Sequence, residues 1–223
     1  MSQKRSNVSL YSQPLSPVFG YIHKNAELVK QTMINSYLGY FEGLKNTLNK
    51  IDLERFNRIN ELLFYALEKG KQIFTMGNGG SGSTASHLVC DLNKGVSFNQ
   101  KEKFRAICLN DNLPTILAYA NDVSYSDVFC EQLKNFMNEE DLVIGFSGSG
   151  NSENVLKAVE YANENGGITI GFSGFKGGKL SKIVRFSIVA PVYDMQKSED
   201  IHLVLCHLIM QTMNNLIRIR SYG

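Results

Sequence analysis

The chain has 223 residues, 43% of them hydrophobic and 20% charged, with a formal net charge of +2. This is the composition of a globular protein with ample chain to bury a core. So balanced a charge offers no electrostatic case for nucleic acid or an anionic membrane, and no apolar run nears the ~20 residues of a spanning helix.

Residues 1–18 are polar, with Pro14 and Pro17 near their end. They read as a flexible arm; the segment is basic but lacks the apolar stretch of a secretory signal. From about 19 to 49, Val29, Met33, Tyr37, Tyr40, Phe41, Leu44 and Leu48 recur at threes and fours, which predicts a long amphipathic helix. A second helix follows, with Asp52 as N-cap, a stripe of Leu53, Phe56, Ile59, Leu62, Leu63 and Leu67, and Gly70 as its stop.

The texture then changes. Three apolar runs (72–76, 142–146 and 168–172) each end in a Gly/Ser loop, and the first two lead into helical patterns. Further strands are expected at 104–109 and 185–190. Strands alternating with helices imply a doubly wound α/β sandwich of three layers around a five-stranded parallel sheet. The first two helices form an extension of it, and residues 19–223 read as one domain. A final helix over about 199–219 is apolar around most of its circumference, which places it in a core or between subunits. With the long N-terminal helix, it argues for a homo-oligomer.

The loops carry the first chemical signal. Ser147-Gly148-Ser149-Gly150-Asn151-Ser152 offers three hydroxyls and open backbone N–H groups at a helix start. Those are the requirements of a phosphate cradle without a fixed cation. Helix capping alone would need one serine. Neither GxxxxGK[ST] nor GxGxxG is present, so the phosphate belongs to a small substrate and no nucleotide cofactor is expected.

The helix after the first loop carries His87 and Asp91 one turn apart. That pair can hold a divalent metal, or set a base beside an orienting acid. Cys90 reads as a small packing residue. The last helix carries Glu199, His202 and His207, polar groups that are costly to bury unpartnered. His202 fits a core hydrogen bond as well as a functional role. Glu199 and His207 stand ~12 Å apart along an ideal helix and meet at one ligand only if both side chains lean inward. The four cysteines form no CxxC pair and no small-domain disulfide pattern, which points to reduced thiols in a cytoplasmic protein.

Taken in order, GNGGSGSTASH with Asp91, DLVIGFSGSGNSENV, TIGFSGFKGGKL and EDIHLVLCH closely resemble the SIS (sugar isomerase) fold. Within it, the match is to the sedoheptulose 7-phosphate, or phosphoheptose, isomerases, over about residues 25–218. The resemblance implies a homotetramer, aldose–ketose isomerisation without a nucleotide, and a bound zinc. It implies substrate contacts at Asn78, Gly79, Gly80 and Ser81, at Asp111 and Asn112, and at Ser147, Gly148, Ser149 and Ser152. Asp91 and Glu199 also fall at substrate-contacting positions. His87, Asp91, Glu199 and His207 match the metal set; Asp91 is the implied base, His207 its partner acid, and Glu199 a substitute base. The family usually carries Glu at position 91, Gln at 199 and Thr at 148. A shorter carboxylate at 91 matters, because misplacing a catalytic group by about 1 Å can cost ~10²-fold in rate. The same fold also serves non-catalytic phosphosugar- or protein-binding regulators. Retention of His207 favours the enzyme.

Overall fold

A computed structural model describes residues 26–220. The arm expected over 1–18, and the expected first turns of the long helix before Ala26, lie outside the described residues. The chain divides into two compact units, Met1–Glu42 and Gly43–Gly223, with the division inside helix α1 (Ala26–Leu48). In the first unit, α1 exposes Leu28, Met33, Tyr37, Leu38 and Phe41.

The second unit opens with helix α2 (Leu53–Lys69). Asp52 caps it by accepting a hydrogen bond from the Arg55 N–H at 3.0 Å, and Gly70 ends it in the left-handed conformation at φ 62°. Five strands follow: β1 (Gln72–Gly77), β2 (Arg105–Cys108), β3 (Leu142–Ser147), β4 (Ile168–Gly174) and β5 (Phe186–Ala190). All pair in parallel, in the order β2-β1-β3-β4-β5, as the apolar runs predicted. Between them run α3 (Gly79–Cys90), a π-helical turn (Asp91–Val96), α4 (Leu113–Asp122), a 3₁₀ turn (Tyr125–Asp127), α5 (Cys130–Phe136), α6 (Glu153–Glu164) and the short α7 (Leu180–Ile183). Helix α8 (Met195–Arg220) begins about a turn earlier than its apolar pattern suggested.

Strand alternation splits the core into two layers. Ile73, Ile144, Phe146, Ile170 and Phe172 face α2, α3 and α8, where Ile59, Leu88, Leu205 and Ile209 are buried. Phe74, Met76 and Val143 face α5 and α6, where Leu133, Val155 and Val159 are buried. Helix α8 is not apolar on all sides in effect. One face is buried through Ile201, Leu205, Ile209 and Met213, while Val204 and Leu208 are exposed.

The topology also positions the site. From β1 the chain crosses to β2 on one side and then returns to β3 on the other. The carboxyl ends of β1 and β3 therefore flank a switch point, the place where ligands bind in open α/β sheets.

Candidate active site

The loop after β3 is tightly shaped. The Ser147 and Ser152 hydroxyls share a hydrogen bond at 3.0 Å, and the Asn151 N–H donates to Ser149 Oγ at 3.2 Å. Ser152 stands at the N-cap of α6 without bonding its first turn, so the simple capping role is absent. Gly150 has φ 67°, and a Cβ there would fall 2.2 Å from the Gly177 carbonyl oxygen, so a side chain is excluded. The loop is pinned to the one after β4 by the Gly174 N–H on the Gly148 carbonyl (2.8 Å) and the Leu180 N–H on the Gly150 carbonyl (2.9 Å). Met195 of α8 covers it: a Cβ on Gly148 would lie 2.2 Å from the Met195 sulfur. Met195 thus fills the space that a side chain at 148 would take.

The loop after β1 faces it across the switch point. Asn78 stands at the N-cap of α3, yet its side chain makes no cap bond. Glu199 reaches this loop from α8, since a Cβ on Gly80 would sit 2.2 Å from Glu199 Oε2. Ser81 is buried just inside the helix. Behind the loop, the Asn110 amide donates to the Gly77 carbonyl at 2.7 Å and accepts from the Gly77 N–H at 3.1 Å.

A third cluster closes the far end of α3. His87 Nε2 and His207 Nε2 face each other at 2.9 Å, and Asp91 Oδ2 lies 3.5 Å from His87 Nε2. One ligand atom from each of His87, Asp91 and His207 lies within 4.8 Å of the others. Among the described residues, Asp91 Oδ2 is buried without a hydrogen-bond partner. Glu199 is not in this group. It stands eight residues before His207 on α8, ~12 Å along the helix, and its carboxylate lies against Gly80 of the β1 loop. Asp111 and Asn112 line an open cleft along edge strand β2 with Val89, Asn93 and Cys108, and Asn112 caps α4 by accepting from the Thr115 N–H. No residue of the phosphate loop or histidine cluster lines that cleft.

His202 is fully buried beside Phe146 and Phe172, its ring centroid 6.1 and 6.0 Å from theirs. The Ser173 backbone faces the ring but does not come within full hydrogen-bond geometry, and among the described residues neither ring nitrogen has another partner. Burial lowers its pKa to about 4, with the Ser173 backbone raising it slightly, so the ring is neutral at pH 7. Cys206, also buried, has its thiol pushed up by desolvation and stays protonated.

The SIS domain family model matches residues 36–174. A phosphoheptose isomerase from Helicobacter pylori is 32% identical over 182 residues, 82% of this chain and 94% of the relative. One from Thermodesulfovibrio yellowstonii is 31% identical over 78% of this chain and 86% of its own length. The chain belongs to the phosphoheptose isomerase family. Solved structures agree on the fold. A phosphoheptose isomerase from Francisella tularensis superposes with a TM-score of 0.76 at 25% identity, covering 83% of this chain and 98% of its own. The one from Neisseria gonorrhoeae gives 0.76 at 23% identity, covering 84% and 99%.

Within that family, three site features here have no signature in the sequence reading. Asn110, Tyr125 and Asn154 are single polar residues whose partners lie at 33, 47 and 76 positions' distance. The π-helical turn that begins at Asp91 is a fourth; periodicity alone reads that segment as ordinary helix. Asn93 anchors the turn by donating to the Ala106 carbonyl at 2.8 Å, and Ser97 by donating to the Leu92 carbonyl at 2.8 Å. π-helical turns recur at functional sites.

Proposed function

We propose that this protein interconverts sedoheptulose 7-phosphate and a heptose 7-phosphate, an aldose–ketose isomerisation through an enediol. The observation that carries the reading is the meeting of His87, Asp91 and His207, brought together from two helices 120 residues apart, in a fold whose switch point carries a loop that suits a phosphate. The name shared by the relatives supports the substrate.

In this reading the phosphate is held by the hydroxyls of Ser147, Ser149 and Ser152 and by the uncapped start of α6. Asn78, Gly79, Gly80 and Glu199 line the sugar's path, with Ser81 beneath them. Asp91 takes a proton from C1 of the ketose and returns it at C2. His207 gives a proton to O2 and removes the one on O1. Glu199 is the substitute base, reaching the β1 loop from α8.

Zinc fits the cluster. Two imidazole nitrogens confront each other and a buried carboxylate oxygen lacks a partner, a mixed N/O donor set typical of that ion. His87, Asp91 and His207 would hold it, with Glu199 the fourth residue of the expected set. When bound, zinc supplies Lewis acidity toward the sugar carbonyl.

We read the assembly as a homotetramer. Helix α4 buries none of its residues and exposes Leu113 and Leu117, and α8 exposes Val204 and Leu208, surface that a second copy would cover. No helix among the described residues is long and apolar enough to cross a membrane. Four free cysteines support a cytoplasmic setting.

The test is incubation of the purified protein with sedoheptulose 7-phosphate in deuterated water. Deuterium at C2 of the aldose product is the expected result. A protein that binds the sugar phosphate yet neither turns it over nor exchanges its C1 proton would defeat the reading.

A further inference from the structure

An asparagine at an N-cap normally folds its side chain back and accepts a hydrogen bond from the N–H of the second or third helical residue. Asn78 does not. Its amide is turned across the switch point to the amide of Asn154, in the first turn of α6. Asn78 Nδ2 donates to Asn154 Oδ1 at 2.9 Å, and Asn154 Nδ2 donates to Asn78 Oδ1 at 2.8 Å. The Tyr125 hydroxyl donates to the same Asn78 oxygen at 2.9 Å. Both lone pairs of that oxygen are thereby used, so it has no capacity left to cap its own helix.

The two partners are themselves held. Asn154 is 2% exposed, and its oxygen also accepts from the Val155 N–H at 3.0 Å. Tyr125 sits in the 3₁₀ turn that Lys157 of α6 grips through Ser126 (2.7 Å) and Asp127 (3.2 Å). Both therefore take their positions from α6, the helix that starts at the phosphate loop.

We infer that Asn154 and Tyr125 are positioning residues that hold Asn78 away from the first turn of α3, so that the β1 loop stays open to the sugar phosphate while the phosphate loop sets its place. The inference rests on the isomerase reading for the ligand, but not for the geometry. Without either partner, Asn78 gains the freedom to swing back, cap α3 and occupy the loop.

Amide hydrogen exchange at Gly80 and Ser81 and the dissociation constant for sedoheptulose 7-phosphate test this on the full chain. In Asn154→Ala, exchange at these amides should slow about fivefold, the ratio expected of a cap of ordinary strength. A merely structural loss would speed exchange instead. The dissociation constant should rise about tenfold in Asn154→Ala and about threefold in Tyr125→Phe, in line with a lost hydrogen-bond arrangement. Adding Asn78→Ala to Asn154→Ala should return exchange at these amides to the wild-type rate, because the competing cap is gone. A double variant that keeps the slowed exchange, or unchanged exchange in the single variant, would overturn the inference. Should Asn154→Ala fail to fold, Tyr125→Phe, which removes one oxygen from an exposed residue, is read by the same two measurements and decides the matter. A wild type that binds no sedoheptulose 7-phosphate would defeat the isomerase reading, and exchange alone would then decide the positioning.

Discussion

The phosphate loop and the histidine cluster are built in opposite ways. The loop is local: Ser147, Ser149 and Ser152 lie within six consecutive residues, and glycine at 148 and 150 makes room for Met195 and the Gly177 carbonyl. The cluster is assembled: His87 and Asp91 come from one helix and its π-helical continuation, and His207 arrives on another 120 residues later. A local site depends on backbone conformation and loses function by degrees. An assembled one depends on the packing of α3 against α8 and fails at a single missing side chain.

The largest expected effect breaks the assembled half. His207→Ala should lower turnover about 10³-fold or more, the upper range for a lost acid/base group, and should also lower the zinc content of protein purified without chelator. Normal turnover in that variant would remove His207 from the chemistry, and unchanged metal would remove it from the ligand set.

The next effect addresses the helix that joins the two halves. His202 holds its folded-state pKa at about 4 against an ordinary 6.5 because it is buried. A depressed histidine means that the unfolded chain protonates first as pH falls. Stability is intact above pH 6.5 and should decline between 6.5 and about 4 by up to about 3 kcal/mol. Denaturant titrations across that window should show the decline in wild type and a flatter profile in His202→Gln. Parallel profiles would show that other groups govern acid stability.

A smaller change probes the local half. Ser149→Ala should weaken sugar-phosphate binding by about 1–2 kcal/mol with folding little changed, the usual loss for hydrogen bonds to a charged group. Unaltered affinity by calorimetry would take the loop out of the site. The smallest effect sharpens the contrast. Asp91→Glu restores the family's usual carboxylate and should leave turnover within about tenfold of wild type, or raise it, a shift of at most ~1.4 kcal/mol in barrier. If wild type is active and Asp91→Glu is inert, the shorter carboxylate is matched to a different sugar or pose.

The same contrast explains what could be read from residues alone. The five strands were visible because each is a short apolar run, three of them closed by a Gly/Ser loop, and the phosphate loop because its residues are contiguous. Asp52 and Gly70 bounded α2 through their own cap chemistry. The histidine cluster was accessible only by resemblance, since nothing in spacing brings position 87 to 207. Glu199 joined the metal set on the same resemblance; its carboxylate lies against Gly80 of the β1 loop. Asn110, Tyr125 and Asn154 carried no signal, because a lone amide or phenol in a short segment has many possible partners. The π-helical turn was hidden for a related reason: its anchors, Asn93 and Ser97, look like ordinary polar surface until β2 is alongside.

Helix α8 touches every part of the site in sequence order, with Met195 over Gly148, Glu199 against Gly80 and His207 at His87. Inserting or deleting one residue between Met195 and His207 would rotate everything beyond it by about 100°. In descent, this stretch can therefore vary in side chain but not in length. Its thirteen positions form a block whose length the site fixes.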